Sequence, residues 1–233
     1  MLTPGIIDLH THYDAQVTWD PTLSPSPALG VTTVVMGNCG FGIVPSPPQA
    51  RDLIMRNLSV VEGMDLAALR AGINWEFESF REFMDRMRRI QPYPNVAVFA
   101  GHSVIRTAVM GEEASQRKEA TSDELHRMRE LVREAMDAGA IGLGASYSLN
   151  HSGYGGVPMP STITDLDEFE ALVEAMGPPG RGVVQLASGA KTGDELAPIA
   201  GRYQRAMFKS TGVAMYNEQA PDRARNVFEA CKD

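Results

Sequence analysis

The 233 residues carry 29 acidic and 21 basic side chains, a net charge of −8 and an isoelectric point near 5.2, which argues against nucleic acid or an anionic membrane surface as partner. With 43% hydrophobic residues the chain can bury the core of one large domain or part of one, and it has no apolar run long enough to span a bilayer and no signal-peptide pattern at residues 1–5. Two distant cysteines, Cys39 and Cys231, are no disulfide framework, so a reducing cytoplasm is the expected setting.

Short apolar runs at residues 5–9, 32–36, 95–100, 140–143, 182–186 and 212–215 read as buried parallel strands, poor in polar alternation. The first is Gly5-Ile6-Ile7-Asp8-Leu9, followed by His10-Thr11-His12. Side chains at i and i+2 leave the same face of a strand, so the two imidazoles project together from its C-terminal end. Two neutral imidazoles so placed can hold one transition metal such as zinc. Helices fall between the runs. Residues 50–62 place Leu53, Ile54, Leu58 and Val61 at helical spacing, and in residues 80–90 Ser79 and Glu82 form a capping box. Residues 122–138 start on the Thr121–Glu124 capping box, bury Leu125, Met128, Leu131, Val132 and Ala135, and stop at Gly139. Further helices are expected at 166–176, at 195–210 with Pro198 in the first turn, and at 221–230.

Six strand-then-helix units in order suggest a parallel α/β architecture, either an open doubly wound sheet or part of a (β/α)8 barrel. A full barrel typically takes about 250 residues, and six units leave it two short. No Gly-x-Gly-x-x-Gly follows the first strand, which argues against a dinucleotide site. The Pro- and Ser-rich stretches at 24–27 and 44–48, and the Gly-rich stretch at 152–161, read as loops.

Chemistry in such folds gathers where strands finish. The second run ends in Gly37-Asn38-Cys39-Gly40-Phe41-Gly42, where Cys39 is either a small core residue or, with the backbone able to approach closely at the glycines, a thiolate ligand. The third ends in Gly101-His102-Ser103 with Arg106 beyond; His102 is open to ligation, substrate orientation or helix capping. The fourth ends in Ala145-Ser146-Tyr147, with His151 in the next loop facing solvent or, as the alternative, acting as a ligand. His102, Arg106 and Ser146 are the candidate substrate contacts, and His10, His12 and Cys39 the candidate metal ligands. His126 sits among charged residues on a helix surface, and the fifth and sixth strand ends carry no histidine.

Pro4-Gly5-Ile6-Ile7-Asp8-Leu9-His10-Thr11-His12 resembles the first-strand signature of the amidohydrolase superfamily. Tyr13-Asp14-Ala15-Gln16, the block from Gly30 through Thr32-Thr33-Val34-Val35-Met36-Gly37-Asn38-Cys39-Gly40, and Val61-Glu62-Gly63-Met64 are similar to its N-acyl-D-amino-acid deacylase (D-aminoacylase) branch, over residues 4–190. The resemblance implies a distorted TIM barrel of the (β/α)8 type, incomplete here at six units, in one partial domain over residues 1–233. It also implies one or two divalent metal ions, usually zinc, and hydrolysis of the amide of small N-acyl-D-amino acids. On that pattern His10, His12 and Cys39 are ligands, and the general-base aspartate belongs to a last strand beyond the six units, so the chain reads as a fragment or truncated homologue. Gln185-Leu186-Ala187-Ser188 and Tyr216-Asn217-Glu218-Gln219 stand where that branch places further histidine ligands. Two alternatives follow: a catalytically silent barrel remnant, or a hydantoinase- or dihydroorotase-like enzyme, although Ala145-Ser146-Tyr147 replaces the bridging lysine of the latter. An open barrel exposes sheet edges, so self-association is expected.

Overall fold

A computed structural model describes residues 4–187, 189 and 193–210. Every strand pairing in it is parallel. One sheet has the order β1 (Ile6–Asp8), β2 (Val31–Met36), β3 (Asn95–Val98), and a second has β4 (Ala100–Gly101), β5 (Gly142–Ser146), β6 (Val183–Ala187), β7 (Ala206–Ser210). The two are one wall: β3 and β4 are separated only by Phe99, whose N–H donates to Met36 O at 2.9 Å, while Ile141 N–H donates to Val98 O at 3.0 Å. Six strand positions in sequence order, with helices in the crossovers, form an arc of parallel α/β barrel.

The crossover helices are α1 (Arg51–Val61), α2 (Leu66–Gly72), α3 (Phe80–Ile90), α4 (His102–Met110), α5 (Ser122–Ala138), α6 (Leu166–Ala175) and α7 (Gly193–Arg202). Both expected capping boxes form, Ser79 with Glu82 and Thr121 with Glu124, and α5 ends at Gly139 in the left-handed conformation. Met128, Val132 and Ala135 of α5 pack with Leu143 and Val184 of the strands in one continuous core.

Two expectations change. β1 is not buried: Ile6, Ile7 and Leu9 are 55%, 58% and 52% exposed, because among the described residues β1 has a partner on one side only. Residues 206–210, read as the end of a helix, are strand β7 instead. The helix stops at Arg202, Gln204 turns the chain at φ 53°, and the buried Arg205 donates to the carbonyls of Gly177 and Pro178 at 2.7 and 2.6 Å. That anchor ties the turn to the loop before β6 and sets Ala206–Ser210 alongside β6. Helices α2 and α4 are additional to the helix ranges expected from the sequence; Asp65 caps α2, its carboxylate accepting Ala68 N–H at 2.8 Å. The strand expected at 212–215 and the helix at 221–230 lie outside the described residues.

Candidate metal centre

The cluster is assembled by the way the chain leaves β1 and β2. Beyond Asp8 the first strand continues as an extended segment, and Thr11 holds it to β2 by donating its N–H and its hydroxyl to Val35 O at 3.0 and 2.7 Å. The buried Asn38 amide stitches the same two segments, donating to Val35 O at 2.8 Å and to Thr11 O at 3.3 Å. Thr11 is thus pinned inward and its two neighbours are set beside the end of β2. There the chain makes a tight 3-10 turn, Asn38–Gly40, in which Gly37, Cys39 and Gly40 all have positive φ (78°, 58° and 77°). Gly37 is required: a Cβ there would stand 2.4 Å from Phe99 O. The Cys39 N–H donates to the side-chain oxygen of the buried Gln185 on β6 at 2.6 Å, which fixes the turn from across the wall.

The result is a convergence of three donor atoms. His10 Nε2 and His12 Nε2 are 3.1 Å apart, Cys39 Sγ is 3.4 Å from His10 Nε2, and all three ligand atoms lie within 4.8 Å of one another. Zinc–nitrogen and zinc–sulfur bonds at tetrahedral angles set donor separations of about 3.3 and about 3.6 Å. The spacing fits such an ion, and the two-imidazole, one-thiolate set suits zinc while leaving a position for an exchangeable ligand.

The electrostatics fit as well. Burial, with the neighbouring His10 and His151, pushes His12 down to about 4, and burial lowers His10 against the pull of Asp8, so both rings are neutral as ligation requires. Behind His12 stands Glu62, just past the end of α1, with Oε1 3.0 Å from Nδ1 but off the hydrogen-bonding axis. Burial, with the Asp14 carboxyl adding to it, raises Glu62 to about 8, and burial raises Asp14 to about 7 against backbone N–H contacts from Gly37 and its own residue. Two buried carboxyls that no lysine or arginine among the described residues pulls back are an environment short of positive charge, which a divalent cation beside His12 would relieve. Carboxylate-to-histidine contacts of this kind orient ligand rings.

His102 and Arg106 do not join the cluster, contrary to the expectation that they contact substrate. Both are completely buried, at the start of α4. His102 Nε2 is 2.7 Å from Glu168 Oε1, and the Arg106 guanidinium pairs with Glu168 Oε2 while donating to the carbonyls of Ala114, Arg117 and Lys118. Burial alone would raise Glu168; the hydrogen bonds and charges of His102 and Arg106 outweigh it and hold that carboxyl below its usual range. With their donors spent inside the protein, these side chains brace α4, α6 and the 111–118 segment. Ser146 does sit at the end of β5, buried, and His151 comes to it: Nδ1 is 2.7 Å from Ser146 Oγ. The sequence reading placed His151 toward solvent and gave Glu62 no role beyond a resemblance motif. His126 is on the surface as expected, 71% exposed at its side chain. Gln185 meets the Cys39 backbone, and Asn217 and Glu218 lie outside the described residues.

A parallel barrel wall with a His–His–Cys cluster at the C-terminal ends of its first two strands defines an α/β-barrel protein with donor atoms that could hold a metal ion where its strands finish. Comparison with known proteins names the family. The Amidohydrolase family profile matches residues 1–220, and the chain belongs to that family. It is 37% identical over 153 residues to D-aminoacylase of Alcaligenes xylosoxydans xylosoxydans, covering 63% of this chain and 28% of that protein. It is 34% identical over 142 residues to N-acyl-D-aspartate deacylase of the same organism, covering 61% and 26%. Among solved structures it superposes on a D-aminoacylase with a binuclear metal centre at a TM-score of 0.68 and 27% identity, over 97% of this chain and 44% of that one. The chain therefore spans 30% or less of the length of these curated relatives.

Proposed function

We propose that this chain carries the metal-binding part of a hydrolase that cleaves the amide of N-acyl-D-amino acids, or a related non-peptide C–N bond. The observation that carries the reading is the convergence of His10 Nε2, His12 Nε2 and Cys39 Sγ at the strand ends. The kinship with D-aminoacylase and N-acyl-D-aspartate deacylase supports the substrate class.

When bound, a divalent ion such as zinc supplies Lewis acidity toward the acyl oxygen and a lowered pKa for an attacking water. His10 and His12 would remain neutral donors, Cys39 would serve as thiolate, and the Glu62 carboxyl, 3.0 Å from His12 Nδ1, would orient that ring with its proton kept on Nδ1, so that Nε2 has its lone pair for ligation. A reducing cytoplasm suits a thiolate ligand. We place the carboxylate that accepts the water's proton outside the described residues, on a later strand of the barrel. Ser146, Arg106 and His102 act around this centre by holding the loops that shape it. The exposed edge at Ile6 and Ile7 favours self-association, for which sedimentation of the chain should show species above the monomer and a monomer alone would contradict it.

The test is metal content of the purified chain by mass spectrometry, paired with zinc-dependent release of a D-amino acid from an N-acetyl-D-amino acid. Bound zinc that disappears in His10→Ala and His12→Ala, with turnover, supports the enzyme reading. Bound zinc without turnover leaves a silent barrel, and no zinc at full loading overturns the metal site.

A further inference from the structure

The loop after β5 brings a histidine to the cluster that the ligand set does not use, and hydrogen-bond accounting fixes its tautomer. Ser146 is completely buried, so its hydroxyl proton needs an acceptor inside the protein. Its oxygen already accepts Ser148 N–H at 3.1 Å, and His151 Nδ1 stands 2.7 Å away. Among the described residues no other group reaches Ser146 Oγ. Among these groups, the assignment that satisfies the hydroxyl has it donate to Nδ1, with the ring's own proton on Nε2. Ligation through Nε2 would demand the proton on Nδ1 and would strand a buried hydroxyl without an acceptor.

The surroundings hold this arrangement firmly. His151 N–H donates to Ser148 O at 3.1 Å, Met159 N–H donates to His151 O at 3.1 Å, and Tyr154 N–H donates to Asn57 Oδ1 at 3.1 Å. Ser161 clasps both backbone groups of Ser146: its hydroxyl donates to Ser146 O at 2.9 Å and accepts Ser146 N–H at 3.2 Å. The His151 ring packs edge-on against Phe41 at 5.0 Å between centroids, and Phe41 lies 6.0 Å from the His12 ring. Burial, and then the nearby His10, lower His151, so it is neutral at pH 7. It is half buried, and it lies close enough to the cluster to interact electrostatically with His10 and His12.

We propose that His151, held by Ser146 as the neutral Nε2–H tautomer, is a catalytic hydrogen-bond donor to the acyl oxygen of the substrate, with Ser146 as its positioning residue. The proposal rests on the hydrolase reading above. A neutral N–H donor gains strength as negative charge builds on that oxygen, and it does so without repelling a cation held by His10, His12 and Cys39. The imidazole keeps its proton throughout, so no acid–base balance has to be closed by another group.

The experiment is two-bond proton–nitrogen correlation NMR of the imidazoles in the zinc-loaded chain, with acetate as the oxyanion probe. The expected spectrum shows His151 with a protonated Nε2 and an acceptor Nδ1, unchanged by zinc and shifted at Nε2–H by acetate. Ser146→Thr retains that pattern; Ser146→Ala mixes the tautomers and weakens acetate about tenfold. A His151 protonated at Nδ1, an Nε2 signal displaced by zinc, or no response to acetate overturns the proposal, and the wild-type spectrum decides even where Ser146→Ala does not fold. Failure of the hydrolase reading is separate: it shows as absence of zinc uptake, while the tautomer is still read in the metal-free chain.

Discussion

Replacing Glu168 by glutamine tests whether the buried His102–Arg106–Glu168 group is what braces the barrel behind the metal centre. Glu168 is 4% exposed and Arg106 not at all, so the substitution leaves a guanidinium buried without its counter-charge. Removing one partner of a buried pair costs about 3–5 kcal/mol, a large share of the ~5–15 kcal/mol that holds a domain folded. With a urea m-value of about 3 kcal/mol/M, the unfolding midpoint should fall by about 1–1.7 M at pH 7. The pH dependence has a definite sign. The folded-state carboxyl of Glu168 lies below its ordinary value of 4.5, so its contribution is complete above that value and is lost as pH falls through the folded pKa. The gap between wild type and Glu168→Gln should therefore narrow only in acid. The control is Glu134→Gln, at an exposed ion pair with Arg127, which should move the midpoint by less than about 0.3 M. A Glu168→Gln shift no larger than this control, or a gap that stays constant from pH 7 to pH 3, would refute the reasoning.

Three further outcomes are expected. His10→Ala, His12→Ala and Cys39→Ala should each weaken zinc by more than about 100-fold in a chelator competition, since even loss of a ligand-orienting group costs 10–100-fold. Glu62→Ala should fall within that ~10–100-fold range, and Glu62→Gln, which keeps an acceptor for His12 Nδ1, should lose less; equal losses would mean that the carboxylate charge rather than orientation matters. Gly37→Ala puts a Cβ against Phe99 O at φ 78°, and should lower the melting temperature in a calorimetric scan by at least about 4 °C, equivalent to about 1–2 kcal/mol or more of strain for a chain of this size.

Much of the fold was legible because parallel strands covered on both faces announce themselves as short apolar runs, and capped amphipathic helices announce their starts. Ser79 with Glu82 and Thr121 with Glu124 fixed α3 and α5 to the residue. The convergence of the three donors was legible for a similar reason: two histidines at alternate positions after a strand, and a cysteine between glycines after the next. What sequence could not show was contact across the wall. Ala206-Met207-Phe208 suits a helix as well as a strand, and only the pairing with β6 and the anchoring of Arg205 decide between them. His102 and Arg106 carry polar side chains at a strand end, the usual mark of a site, yet Glu168 lies 62 residues beyond Arg106 and draws both inward. His151 reads as a loop histidine until Ser146 is seen to hold it. Glu62 carried one usable signal, a carboxylate at a helix end followed by Gly63, but nothing local tied it to His12.

Cobalt(II) loading tests the convergence of the three donors most directly, because a thiolate ligand produces a near-ultraviolet charge-transfer band that imidazole and carboxylate ligands do not. The account predicts that band at one cobalt per chain, its loss in Cys39→Ser, and its persistence in Cys231→Ser. A cobalt complex without the band, or one that survives in Cys39→Ser, would contradict a centre built from His10, His12 and Cys39.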